Sequence, residues 1–151
     1  MEIITIPLKG DLEHKDSMGN GTIIKSGDIQ VMSAGTGIRH SEYNPNPNIQ
    51  TNLLQIWVLP NEQNVKPRYD QRTLKPENSF NTFEQIISPN KDHVGIWIHQ
   101  DTWFHIGSFG SEKDTGYNLK KSGNGIYVFV ISGDIEINET TLHTRDGFGI
   151  S

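Results

Sequence analysis

Turn-forming residues interrupt this chain too often for a long helix to run through it. Fifteen Gly, seven Pro and many Asn are spread over 151 residues, and a Gly or Pro inside a helix costs about 1–3 kcal/mol relative to Ala. Between these breaks lie short runs rich in β-branched and aromatic residues, at 2–8, 22–24, 29–32, 53–59, 95–99, 103–106 and 125–131. Such runs fit strands. Runs of Ala, Leu, Glu and Lys with helical spacing are absent. The expectation is an all-β architecture.

Residues 29–32 alternate apolar and polar, as a strand with one buried face should. Residues 53–59 are nearly all apolar and read as a buried strand. Residues 12–17 are polar and read as a half-exposed return strand. From Pro60 to about Asn81 the pattern is irregular and broken by Pro60, Pro67 and Pro76. This stretch reads as a connector between two halves. A short likeness links those halves: Leu8-Lys9-Gly10-Asp11-Leu12-Glu13 matches Ile131-Ser132-Gly133-Asp134-Ile135-Glu136. Gly27-Asp28-Ile29 and Gly147-Phe148-Gly149 take comparable places after the hairpins that follow, which suggests two copies of one β-barrel unit.

The formal charge of −5 argues against direct contact with nucleic acid, which needs clustered Lys and Arg. With no cysteine, disulfides, thiolate metal sites and cysteine nucleophiles are excluded. The first residues lack the basic start and apolar run of a secretory signal, and no stretch has the length of a membrane-spanning helix. A soluble cytoplasmic protein is expected.

The stretch Gly35-Thr36-Gly37-Ile38-Arg39-His40-Ser41-Glu42-Tyr43-Asn44 carries the chemistry. His40 and Glu42 are two residues apart, so on a strand their side chains leave the same face. An imidazole beside a carboxylate is half of a metal-binding face, since a working site needs further ligands and an open position.

Several ordered motifs resemble bacterial pirins. They are the stretch from Glu13 to Asn20, the stretch from Met32 to Asn44, and Gln55-Ile56-Trp57, Pro67-Arg68-Tyr69 and His99-Gln100-Asp101. The likeness runs over almost the whole chain and is most specific between residues 9 and 44. Pirins are bicupins, two β-barrels in one chain, with a single metal, usually iron, in the N-terminal barrel. The resemblance implies an N-terminal barrel over 1–60, a connector over 61–82 and a C-terminal barrel over 83–151. It makes His40 and Glu42 the last two of four protein ligands. In the family the first two come from a His-Pro-His motif just before a Met-Glu or Phe-Glu pair, which here is Met1-Glu2. The sequence thus looks like an internal piece of a pirin, with both barrels incomplete.

The remaining candidates read as structural. Glu2 falls where other cupins place a glutamate ligand, but reads as a frayed terminal carboxylate. Asn44 sits at His-x-x-x-Asn spacing, and ending the strand before the Asn-Pro loop is about as good a role for it. His14 reads as solvent-facing, His99 and His105 as core or hairpin packing, and His93 and His143 have no partner at ligand spacing.

The function implied is that of a metal-dependent quercetin 2,3-dioxygenase, which opens flavonols at a mononuclear divalent metal, iron above all. Glu42 would take the flavonol's hydroxyl proton. With only His40 and Glu42 present, weak activity or none is expected. The alternatives are a regulatory module that binds a protein partner, and a piece without independent function.

Overall fold

The computed structural model describes residues 1–151 and is built almost wholly of strands. In chain order they are β1 (Glu2–Lys9), β2 (Leu12–Asp16), β3 (Gly21–Ile24), β4 (Asp28–Ser33), β5 (His40–Tyr43), β6 (Asn52–Val58) and β7 (Arg68–Thr73). There follow β8 (Glu84–Ser88), β9 (Ile96–Trp97), β10 (Phe104–Ile106), β11 (Ile126–Phe129), β12 (Ile135–Ile137), β13 (Thr140–Leu142) and β14 (Gly147–Ile150). One 3₁₀ turn, Pro76–Asn78, precedes β8. No helix is long and apolar enough to cross a membrane.

The chain divides into two compact units, Met1–Asp114 and Thr115–Ser151. Within the stretch 61–82, read as a connector, residues 68–73 form a strand. Arg68–Thr73 pairs with β4 from Asp28↔Thr73 to Ser33↔Arg68. A polar strand such as Arg-Tyr-Asp-Gln-Arg-Thr shows no apolar alternation, so only its partner strand reveals it.

In the first unit, β6-β1-β4-β7 form one antiparallel sheet and β3-β2-β5 a smaller one. The register of the larger sheet sorts its side chains into two faces. Ile4, Ile6, Ile29 and Val31 share one face and pack with Ile86, Ile87, Ile96 and Ile98 from the β8–β9 region. Ile3, Gln30, Met32, Gln55, Tyr69 and Gln71 share the other. Consequently β4 is buried along its whole length, and the expectation of one buried face is corrected. Its polar positions do not point to water; they point into a second, polar interior. The buried reading of 53–59 is also corrected. β6 is the outer strand of its sheet, and Trp57 is 65% exposed.

Two glycines allow backbones to meet. A Cβ on Gly95 would lie 2.7 Å from the Ile86 carbonyl carbon, where β8 and β9 run parallel. A Cβ on Gly35 would lie 2.3 Å from the Val65 carbonyl oxygen. That contact, together with the bond from the Thr36 amide to the Val65 carbonyl at 3.0 Å, holds the residues that lead into β7.

The suspected repeat is present in the pairing. β1 pairs with β4 while β2 pairs with β3; β11 pairs with β14 while β12 pairs with β13. Gly10 and Gly133, with φ of 68° and 86°, make the equivalent turns, a backbone state that glycine adopts without strain. The return turns match as well. The Lys25 amide donates to Asp28 Oδ2 at 2.9 Å, and the His143 amide donates to Asp146 Oδ2 at 2.8 Å. Gly27-Asp28 therefore corresponds to Arg145-Asp146, two residues earlier than sequence likeness suggests, with Arg145 at a φ of 75°. Strand for strand this is a bicupin-type all-β fold, whose strands here form separate sheets of two to four members.

Candidate metal-facing site

β2 and β5 pair so that His14 lies opposite Glu42 and Asp16 opposite His40. Residues directly opposed in an antiparallel pair leave the same face. Two imidazoles and two carboxylates thus share one face of the small sheet, with His14 buried, Asp16 and Glu42 half-buried and His40 exposed. Leu12 and Ile24 continue that face and are buried, which explains why the sheet packs with it inward.

His14 is fully buried, so the solvent-facing reading is corrected. Its ring stacks on His40 with centroids 5.7 Å apart and tilts against Tyr69 at 5.0 Å. Its Nε2 lies 3.4 Å from Asp16 Oδ2, and its Nδ1 lies 3.9 Å from Glu42 Oε1, too far for a hydrogen bond. The sequence held the signal: Leu12-x-His14 alternates, and a leucine pointing inward carries His14 inward with it.

Glu42 is held by one oxygen. Gln55 Nε2 donates to its Oε2 at 2.9 Å, and Gln55 Oε1 accepts from Trp57 Nε1 at 3.2 Å. Its other oxygen, Oε1, is buried and has no hydrogen-bond partner within the chain, and neither have His14 Nδ1, Thr5 Oγ1 and both amide atoms of Gln30. Thr5 and Gln30 belong to the sheet face that carries Gln55 and Tyr69. Partnerless buried polar atoms are uncommon in folded proteins, and each requires a physical explanation.

Asp16 closes this region at the turn after β2. Burial raises its pKa, but hydrogen bonds from the Asn20 side chain and amide, His14 and the Met18 amide outweigh this and hold it below the usual carboxylate value. Burial, followed by the nearby carboxylates of Asp16 and Asp28, pushes the Tyr69 phenol far above its ordinary value. Tyr69 therefore stays protonated and donates to Gln71 Oε1 at 2.9 Å.

A metal centre can be tested against these donors. His40 and Glu42 present suitable atoms, and the partnerless Glu42 Oε1 is what an anionic ligand atom requires. Nevertheless, no group of three or more His, Asp or Glu side chains is arranged to hold a metal ion. The residues present therefore do not form a complete metal site.

The other candidates find structural places. Glu2 is fully buried in β1, not frayed: Ser33 Oγ donates to its Oε2 at 2.7 Å, and His99 Nδ1 lies 3.0 Å from its Oε1. Asn44 shapes the loop after β5, donating to the Ile49 carbonyl at 2.8 Å and accepting from the Asn46 amide at 2.9 Å. His99 packs edge-on to Trp97 at 4.7 Å. His143, although it has no partner at ligand spacing in the sequence, contacts Asp134 Oδ1 at 3.0 Å.

Known proteins can now be set beside this geometry. The Pirin family model matches residues 1–58, and the model of the quercetinase C-terminal cupin domain matches residues 85–151. A quercetin 2,3-dioxygenase of Escherichia coli is 35% identical over 99% of this chain and 63% of its own length. A pirin-like protein of Caulobacter vibrioides is 34% identical over 99% of this chain and 64% of its own. The crystal structure of the bacterial pirin YhhW of Escherichia coli in complex with nickel(II) superposes with a TM-score of 0.91 at 35% identity, covering 99% of this chain and 63% of that one. The chain therefore spans somewhat less than two thirds of the relatives it matches. On the two family models, this identity and this superposition, the chain belongs to the pirin family.

Proposed function

We propose that the inner face formed by β2 and β5 is the metal- and substrate-facing side of a pirin of the quercetin dioxygenase type. His40 and Glu42 are its metal donors, and Glu42 is the group that takes the hydroxyl proton of a flavonol. The observation that carries this reading is the asymmetry of Glu42, with Oε2 held by Gln55 and Oε1 buried and free to accept. A carboxylate fixed by one oxygen and open at the other suits a positioned general base. The polar interior formed by Thr5, Gln30 and Tyr69 gives the hydroxyl and carbonyl groups of a flavonol something to bond.

In the intact reaction type a divalent metal activates the flavonol toward dioxygen. The nickel(II) complex of the related pirin supports a divalent ion, and family resemblance favours iron. This chain alone contributes two donors, so its own metal uptake is expected to be weak and its flavonol turnover slow or nil. Calorimetric titration with nickel(II) and iron(II), run beside quercetin consumption, tests this. Weak binding that drops about tenfold or more in His40→Ala and Glu42→Gln is expected. Stoichiometric tight metal with turnover would overturn the incomplete-site reading. Equal binding by both variants would overturn the donor assignment.

A second reading is a regulatory module that binds another protein. Exposed Trp57 and Leu59 at the outer strand β6 favour it. A specific partner that survives Glu42→Ala and is lost with Trp57→Ser would support it over catalysis.

A further inference from the structure

The opposite face of β7 carries a different constellation. Glu2 pairs with Ser33 and Ser33 with Arg68, so the three stand in a row across β1, β4 and β7. Alternation along β7 puts Arg68 on the side away from Tyr69 and the His14–Glu42 interior. Beside this row lies a cavity of about 350 Å³ lined by Lys66, Pro67, Arg68, Trp97 and His99.

The Arg68 guanidinium is immobilised there. Its Cζ sits 4.1 Å from the centre of the Trp97 ring, Nη2 donates to the Trp97 carbonyl, and Nη1 lies 3.7 Å from Asp70 Oδ2. Its Nε is buried and has no partner. The buried carboxylate in the row, Glu2, meets His99 through Oε1 and Ser33 through Oε2, and its charge also favours the Arg68 guanidinium. A fixed guanidinium lining the cavity, beside a lysine, is a receptor for an oxyanion. The loop that carries Lys66 and Pro67 is itself fixed by the close approach of Gly35 to Val65.

The volume adds a constraint. About 350 Å³ is more than an inorganic anion fills and lies at the small end of organic ligand sites. Pro67 and the Trp97 edge offer flat apolar walls. We propose that this cavity is a second ligand site, separate from the metal-facing interior, that takes a small aromatic carboxylate. The Arg68 guanidinium and the Lys66 ammonium hold the carboxylate, and the ring lies against Pro67 and Trp97.

Titration of the isotope-labelled chain with benzoate, benzamide and inorganic phosphate tests this, following the Trp97 indole and Arg68 Nε–H resonances. Benzoate should shift both saturably, with benzamide and phosphate at least about tenfold weaker, because one lacks the charge and the other the ring. Arg68→Gln should abolish the effect. Since that variant also removes the bond to the Trp97 carbonyl, Lys66→Ala at an exposed position serves as the fold-neutral partner and should weaken benzoate about threefold or more. His40→Ala should leave benzoate affinity unchanged. Absence of shifts at Trp97 and Arg68, or unchanged affinity in Lys66→Ala, would overturn the site. Benzamide or phosphate binding as tightly as benzoate would overturn the ligand class.

Discussion

His14 joins the two sheets that enclose the polar interior. Its ring is fully buried between His40 and Tyr69, and its nitrogens face Asp16 and Glu42. Removing it empties a ring-sized space and leaves two carboxylates facing each other without the imidazole between them. His14→Ala is expected to destabilise the first unit by about 3 kcal/mol, in the range of large-to-small core changes, measured by denaturant unfolding. A loss of under about 0.5 kcal/mol, typical of a surface change, would contradict its central place. At this scale the sequence was informative about residue type and less so about direction. That His40 and Glu42 share a face followed from strand alternation alone. That His14 completes the face was overlooked, since Glu13 and Asp16 made the strand look solvated and masked the inward alternation of Leu12 and His14. Glu2 shows the same limit: its partner His99 is 97 residues away, and no local pattern carries that information.

At the scale of elements, the two turn copies differ in one respect that pH can read. Lys25 opens the first turn and His143 the second, each donating its amide to the aspartate three residues on. At the position of Lys25 the second copy carries a histidine, the side chain whose charge changes near neutral pH. A hydrogen bond to Asp134, then the Asp134 charge, raises the His143 pKa above its ordinary value of 6.5. A raised folded pKa favours the folded hairpin while histidine is protonated, fully so below the unfolded value, and the benefit disappears as pH rises through the folded value. Amides of β12 and β13 should therefore be better protected near about pH 6 than near about pH 8, after correction for intrinsic exchange. Asp134→Asn should lower the His143 pKa and flatten the difference, as read by imidazole shifts; a pKa unmoved by the substitution would refute the pairing. The Gly-Asp turns made the repeat visible in the sequence. Its true register did not show, because Arg145 occupies the left-handed position where the first copy uses Gly27.

For the whole molecule, the distribution of core decides what holds each unit together. Of the buried apolar side chains, Ile3 through Ile98 lie in Met1–Asp114, whereas Thr115–Ser151 contributes only Val130 and Leu142. Chains shorter than about 40 residues rarely stabilise a fold without disulfides, metals or association, and this sequence has no cysteine. The second unit has four short strands in two separate pairs, each a two-stranded ribbon of marginal stability. The first unit has a four-stranded sheet with the isoleucine core on one face and the polar interior on the other. Hydrogen exchange on the whole chain should therefore show slow amides in β1 and β4 and exchange at least about tenfold faster in β11 and β14. Residues 1–114 alone should keep the first unit's cooperative unfolding and the resonances of His14, His40 and Glu42. Residues 115–151 alone should remain unstructured. If β11 and β14 exchanged as slowly as β1, or residues 1–114 failed to fold, stability would have to be shared between the units rather than held by the isoleucine core of the first.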